Sequence, residues 1–444
     1  MINGLRARIG ALTGHQDFRL VSGSTLGVLV VKVLGTLAAF LVQIPLTRIL
    51  GVGEYGTYIY VWSWIVILTT FLRLGLDSTL IKYIPIYVSG SEWPRLKGVL
   101  AVALGAPPVL TLVFLVAGKF SNITHFIPQG LKIVPCVTLP LLILFPVNQM
   151  LQAALRGLKS VVVPEFVETL AKPVVMLALF LMLIKGHVAG ADNALTAQLG
   201  VVVLATIFLS TLLARKLPAG AAQAATDVKM LKTWAAFSGP MLLLAGLSII
   251  ISRTDIVMLG MLRGPADAGV YAIASRMAEF TTFGLLASNS IMAPLISELY
   301  HAEGQRERLQ SILRISAGFI FLFTSIACIL LLALGPFLLP LFGADFKAAY
   351  TPMAILLCGQ LINALAGPVG FLMTMTGHQN EVTKVMGVAA VVNIVGNGLV
   401  IPVFGTVGAA LVTSACILFW NLVLLVRVRL TLHLNPTILR VTSQ

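Results

Sequence analysis

Ten charged side chains fall inside stretches of sequence that are otherwise apolar: Lys32, Arg73, Asp77, Glu165, Glu168, Lys172, Arg253, Asp255, Arg276 and Glu279. Charges in such stretches are costly and mark a pathway or a functional pair by default. The cations Lys32, Arg73, Lys172, Arg253 and Arg276 suit an anionic cargo, which they attract and bind through charge-assisted hydrogen bonds. The carboxylates Asp77, Glu165, Glu168, Asp255 and Glu279 are candidates to take up and release a proton or another cation during transport. Spacing adds a structural alternative. Arg73 and Asp77, and Glu168 and Lys172, stand at i, i+4, while Arg276 and Glu279 stand at i, i+3, so each pair can neutralise itself on one helix face. Lys32 has no such neighbour and needs a wet cavity or a partner on another helix. Arg253 and Asp255 are expected toward the outer end of their span, where anchoring competes with function.

Uncharged polar residues inside the apolar stretches (Asn148, Gln149, Asn289, Gln360, Asn363, Asn393 and Asn397) are expected to line a cleft or to tie helices together. The six histidines lie in loops, ends or tails, without metal spacing. The four cysteines fall within apolar stretches and read as packing residues rather than a disulfide framework. No cofactor and no metal site is expected. Gly51-Val52-Gly53-Glu54-Tyr55-Gly56 spells a dinucleotide fingerprint, but it joins two apolar segments with no strand before it. Asn122-Ile123-Thr124 is a glycosylation sequon in an outer loop.

The elements that must position these residues are membrane spans. The chain is 58% hydrophobic and 10% charged, whereas soluble domains carry about 25% charged residues. A soluble chain of this composition has too little polar surface to cover itself. Windows of about 20 apolar residues give twelve expected spans, at 21–46, 55–84, 97–118, 131–155, 161–184, 191–214, 235–260, 268–298, 310–335, 349–375, 382–402 and 406–427. The first follows a basic lead, 1–20, and runs too long, without a cleavage site, for a signal peptide. The longest connection, 215–234, divides the chain into an N-lobe (21–214) and a C-lobe (235–428) of six spans each, followed by a tail, 429–444. Prolines inside the spans, among them Pro107, Pro108, Pro146 and Pro173, imply bends.

Of the 30 Lys and Arg, nineteen fall on the side of the N-terminus, six on the other side and five within spans. The positive-inside rule then puts both termini in the cytoplasm of a multi-pass plasma (inner) membrane protein and explains the net charge of +14 without nucleic acid. A shift of 213 residues aligns Glu54 with Asp267, Gly56 with Gly269, Tyr58 with Tyr271, Tyr87 with Tyr300 and Arg95-Leu96 with Arg308-Leu309. Spans 1–2 and 7–8 enter from the same side, so the pseudo-repeat is parallel, and two facing lobes leave a central cleft.

The segments LTRILGVGEYGTY (46–58), TDIVMLG (254–260), AGVYAIASR (268–276), APLISELY (293–300) and GHQN (377–380), with Asn393, Asn397 and IPVFGTVGAALVT (401–413), carry a resemblance over nearly the whole chain. They resemble the Wzx-type oligosaccharide flippases of the multidrug/oligosaccharidyl-lipid/polysaccharide (MOP) exporter superfamily. That resemblance implies an all-α fold of two six-helix lobes in a V and alternating access. It also implies transfer of a polyprenyl-diphosphate-linked glycan repeat unit to the outer leaflet for surface polysaccharide such as O-antigen or exopolysaccharide. Implied partners are the lipid-linked glycan, a coupling proton or sodium ion, and other polysaccharide-assembly membrane proteins. Beyond a cleft between lobes, the resemblance assigns no site residues.

An ion-coupled exporter of small cationic drugs, from the same superfamily, is the alternative. It calls for a cleft dominated by carboxylates, whereas Lys32, Lys172 and Arg276 favour an anionic cargo. A membrane glycan polymerase or acyltransferase would place catalytic groups at the membrane face or in a long loop. No outer loop exceeds roughly fifteen residues, so a transporter, not an enzyme, is expected.

Overall fold

A computed structural model describes residues 16–120, 135–185, 188–301 and 305–438. Residues 1–15 of the basic lead, the sequon at Asn122, His125 and the end of the tail from 439 lie outside the described residues. Every regular element among those described is helical. Helices satisfy their backbone hydrogen bonds internally, which hydrocarbon demands.

In chain order the helices are α1 (Gln16–Leu72), α2 (Leu76–Ser89), α3 (Trp93–Phe120), α4 (Pro135–Gly157), α5 (Val162–Phe166), α6 (Lys172–Leu183) and α7 (Ala191–Lys216). They continue with α8 (Ala219–Gln223), α9 (Leu231–Leu262), α10 (Pro265–Glu279), α11 (Phe283–His301), α12 (Arg306–Leu338), α13 (Tyr350–Ala366), α14 (Val369–Met375) and α15 (Gln379–Thr431). Among the described residues, nine helical stretches are long and apolar enough to cross a membrane, against twelve expected spans. The difference lies at three places. Gly51 in α1 (φ 72°, ψ 173°) and Gly405 in α15 (φ 55°, ψ −132°) each turn the chain inside what is otherwise one long helix. The stretch from Pro265 to His301 is divided by a 3₁₀ turn at Phe280–Thr282.

Side-chain packing follows a lipid solvent. Leu322, Ile329, Phe337, Leu399, Val403 and Leu430 are exposed on the outside of α12 and α15. In water such surface would associate; on a spanning helix it faces acyl chains. The largest buried cluster runs from Tyr55, Val61 and Ile65 of α1 to Leu259 of α9, Tyr271 and Ile273 of α10, and Phe342 and Phe346. Two smaller clusters flank it, one from Leu76 to Trp234 and the other from Met292 to Leu434. The large cluster therefore joins the first half of the chain to the second.

That junction is a seam of close backbone approaches between the part of α1 after Gly51 and α9–α10. A Cβ built on Gly56 would sit 1.9 Å from the Pro265 carbonyl oxygen, and one on Gly75 2.4 Å from that of Ser238. Gly75 also holds φ 71°, which an L side chain resists. Small residues let membrane helices approach this closely, and van der Waals contact then supplies the attraction. Aromatic pairs pack beside the seam: Phe40 on Phe280 and Phe342 at 5.0 and 5.2 Å, and Tyr55 on Phe346 at 5.9 Å. At the Gly75 end Trp234 is fully buried and its Nε1 donates to the Tyr87 hydroxyl at 2.9 Å. The 215–234 connection is docked as well: Asp227 N–H donates to the Pro94 carbonyl and Lys97 Nζ to that of Ala224.

Gly56→Ala is expected to displace this seam, because the new methyl meets backbone that cannot rotate away. Overpacking of this kind costs about 1–3 kcal/mol. Cysteines placed across the seam, one in α1 just after Gly51 and one in the first turn of α10, should crosslink in the parent protein and markedly less in the Gly56→Ala variant. Equal crosslinking would show that the seam does not hold the two halves.

Candidate functional site

The ten charged candidates separate into four groups. Glu168, Lys172, Arg253, Arg276 and Glu279 line one cavity of about 200 Å³ between the two halves of the chain. Asp255 lies one helix face away and is 4% exposed. Lys32 and Glu165 form a separate cluster, and Arg73 and Asp77 sit at the break between α1 and α2.

The cavity draws its lining from both sides of Gly51 in α1, from α4, α6 and α7, and from α9 and α10. Its first cation depends on a local distortion. Pro173 has no N–H to continue the α-helical ladder, and the preceding Val167–Ala171 forms a π turn in which Lys172 N–H reaches back to the Val167 carbonyl. This widened turn carries Glu168 and Lys172. Lys172 Nζ donates to Glu168 Oε2 at 2.5 Å and to Asn148 Oδ1 at 2.7 Å, and Gln152 Nε2 donates to the same Glu168 oxygen at 2.5 Å. Across the cavity, Arg276 Nη1 donates to Glu279 Oε2 at 3.0 Å. Arg253 lines the cavity and makes neither a hydrogen bond nor an ion pair among the described residues. Three cations face two carboxylates, so the lining carries one positive charge in excess. The unengaged one is a guanidinium, with its planar fork of donors.

Tyr55, Tyr58 and Trp62 share the lining. They stand at i, i+3 and i+7 and so on one helix face, a pattern visible in the sequence but overshadowed there by the charges. Aromatic faces of this kind offer flat, partly polar contact surface. Tyr58 Oη donates to Gln198 Oε1 at 3.5 Å, and Gln43 and Ser252 add further polar edges.

Asp255 is the most completely hydrogen-bonded carboxylate of the ten. Oδ2 accepts from the Tyr271 hydroxyl at 2.7 Å and from the Thr413 hydroxyl. Oδ1 accepts from the amides of Asn397 at 2.7 Å and Asn393 at 3.3 Å. It is sealed from solvent near the Gly264 end of α9, where α9, α10 and both parts of α15 enclose it. The amide oxygens of Asn393 and Asn397 are buried without a partner among the described residues. Asn393 and Asn397 thus flank a carboxylate rather than line the cavity. Their i, i+4 spacing was the available signal; Tyr271 and Thr413 gave none of their own.

Lys32 finds its partner on another helix. Its Nζ lies 3.8 Å from Glu165 Oε1, while Arg156 Nη2 lies 3.3 Å from Glu165 Oε2. Lys32 is not part of the cavity lining. Arg73 pairs with Asp77 at 3.1 Å and donates to the Thr70 hydroxyl at 3.1 Å, bracing the end of α1 against the start of α2. All three local pairs expected from spacing are formed.

The sequence profile described as polysaccharide biosynthesis protein matches residues 23–300, more than half of the chain. The chain belongs to the polysaccharide biosynthesis protein family. A second profile, MatE, matches residues 240–399, and the two together place the chain in the MOP superfamily. No curated protein sequence matches it. Among solved structures it is similar to the lipid II flippase MurJ in an inward closed conformation (TM-score 0.71, 13% identity, 90% of this chain and 87% of that one). It is also similar to an inward-facing multidrug resistance MATE family transporter of the MOP superfamily (TM-score 0.68, 14% identity, 90% and 94%). A third similar structure is a MOP superfamily transporter from Pyrococcus furiosus, described as having a binding pocket of reverse polarity (TM-score 0.61, 13% identity, 91% and 95%). At these identities the likeness establishes the fold alone, a multi-pass, all-helical membrane architecture.

Proposed function

We propose that the protein flips a lipid-linked oligosaccharide, a polyprenyl-diphosphate-linked glycan repeat unit, from the cytoplasmic to the outer leaflet of the plasma membrane by alternating access. The observation that carries this is the central cavity, with an excess cation and the unengaged Arg253 facing the aromatic side of α1. A diphosphate takes the guanidinium through paired charge-assisted hydrogen bonds. The sugars take the tyrosine and tryptophan faces and the polar edges of Gln43 and Gln198. Lys172 and Arg276 stand beside this position, each held by a glutamate that can release it to an incoming anion. Membership of the polysaccharide biosynthesis family supports the same cargo, the excess of Lys and Arg on one side supports cytoplasmic termini, and other assembly proteins would act as partners.

Asp255 is the coupling group in this scheme, ahead of Glu165, Glu168 and Glu279. The amide nitrogens of Asn393 and Asn397 face Asp255 in this arrangement; turning either amide would bring its unpartnered oxygen beside the carboxylate and the Thr413 hydroxyl, an all-oxygen set that suits a hard cation such as sodium, while a proton would bind the carboxylate itself. Asp255, Asn393, Asn397 and Thr413 would hold the ion, and its charge would offset the buried carboxylate. Because α9 carries both Asp255 and Arg253, occupancy of one position bears on the other through a single helix.

The MatE match over 240–399 favours a second reading, an ion-coupled multidrug exporter. Depletion of the protein followed by leaflet-resolved analysis of lipid-linked glycans separates the two. The flippase reading expects glycan to accumulate in the inner leaflet with unchanged sensitivity to cationic drugs. Normal outer-leaflet delivery together with drug hypersensitivity would reject it.

A further inference from the structure

Away from the central cavity, a second, open cavity of about 590 Å³ lies where α12 begins and α15 ends. Its lining includes Arg306, Arg314 and Arg429, with His433 and a single carboxylate, Glu307. We propose that this cavity binds the phosphate headgroup of an anionic membrane phospholipid.

The pocket is built rather than accidental. After α15 the chain turns at His433, in the left-handed region at φ 51°, and folds back under the start of α12. Gln310 fastens this return: its Nε2 donates to the Asn435 carbonyl at 2.5 Å and its Oε1 accepts from Asn435 N–H at 2.7 Å. Leu432, Leu434, Pro436 and Thr437 are buried beneath it. Arg306 is spent on the same strap, donating to the Leu432 carbonyl. Arg314 and Arg429 are not: among the described residues neither makes a hydrogen bond or an ion pair. Two free guanidiniums from different helices therefore share one pocket, and phosphate is the group their planar donor forks fit.

The surroundings choose the lipid over a free phosphate. One residue beyond Arg314 on α12, Ile315 is 70% exposed, and Phe319, Leu322 and Ile326 continue that stripe. On α15, Leu430 beside Arg429 is 68% exposed, with Val426 and Leu422 below it. The cations thus cap apolar, lipid-facing helix surfaces, which places a headgroup in the pocket and its acyl chains along the helices. Basic pockets at the membrane face act in this way on anionic headgroups. The inference does not depend on which substrate the central cavity carries.

The test uses the full chain purified in detergent and offered phosphatidylglycerol or phosphatidylcholine with the same acyl chains, with retained lipid counted by native mass spectrometry. Phosphatidylglycerol should be retained preferentially. Arg314→Gln combined with Arg429→Gln should lower that retention by about thirty-fold, the loss of two cations acting on one anion. Arg308→Gln, on the first turn of the same helix but outside the pocket, should leave it unchanged. Inorganic phosphate, added alone, should not displace the lipid. Equal retention of the two lipids by the unaltered protein would overturn the proposal even if the double variant failed to fold. Displacement by inorganic phosphate at millimolar concentration, or a folded double variant that still prefers phosphatidylglycerol, would overturn it as well.

Discussion

An Asp255→Ala variant is expected to lose about 3 kcal/mol or more of stability, and an Asp255→Asn variant to fold but lose its response to the coupling ion. Four donors, from Tyr271, Thr413, Asn393 and Asn397, converge on this carboxylate in a site closed to solvent. Removing it leaves them facing a cavity, and each buried donor without a partner costs about 1–3 kcal/mol. The total stays below the sum of four such terms, because the free amide oxygens of Asn393 and Asn397 can accept some of the orphaned hydrogens. Asparagine at 255 keeps the shape and removes the charge. Thermal unfolding in detergent with sodium or choline as the only cation, at two pH values, reads both effects. The unaltered protein should gain stability as the coupling ion rises, by about 1.4 kcal/mol per tenfold increase above its dissociation constant. A parent protein indifferent to sodium and to pH, or an Asp255→Asn variant that still responds, would remove Asp255 from the coupling role.

The second large effect is expected at Arg253. Arg253→Gln should weaken binding of a polyprenyl-diphosphate glycan by about thirty- to a hundredfold, the worth of a hydrogen bond between charged groups in a site shielded from water. Arg253→Lys keeps the charge but loses the fork and should fall between. Arg276→Gln should cost less, because Glu279 already holds that guanidinium at 3.0 Å and substrate must first displace it. The sign of the change also separates the two cargoes. A cationic drug gains from removal of Arg253, whereas a diphosphate loses. Equilibrium binding of both ligand types to the same three variants is the measurement, and Arg253→Gln binding the glycan lipid as tightly as the parent would count against the cavity as its site.

Much of this architecture is legible in the sequence because the membrane imposes few rules and strict ones. Apolar length marks the helices, and the i, i+3 and i, i+4 charge pairs form as spaced because helix geometry alone decides them. The three-dimensional grouping is another matter. Nothing local says that Lys32 reaches Glu165, 133 positions away, or that Asp255 is met by Asn393, Asn397 and Thr413 from both parts of α15. Depth along a helix was readable and azimuth was not. Arg253 and Asp255 stand two residues apart, hence on different faces of α9: one faces the cavity, the other is sealed behind it. The aromatic face of α1 shows the reverse case. Its spacing was in plain view, but an aromatic stripe on an apolar helix ordinarily means packing, and only the cavity makes it a surface.

The glycine seam between α1 and α9–α10 has a mechanical consequence. Dispersion falls off so steeply that a gap of 0.5–1 Å forfeits a quarter to a half of each contact. Where backbone meets backbone, no long side chain can stretch across to keep partial contact as the surfaces part. Such a joint behaves as a detent: it is seated or it is free, with little resting place between. In the proposed alternating-access cycle, a joint of this kind would switch between positions instead of drifting among them.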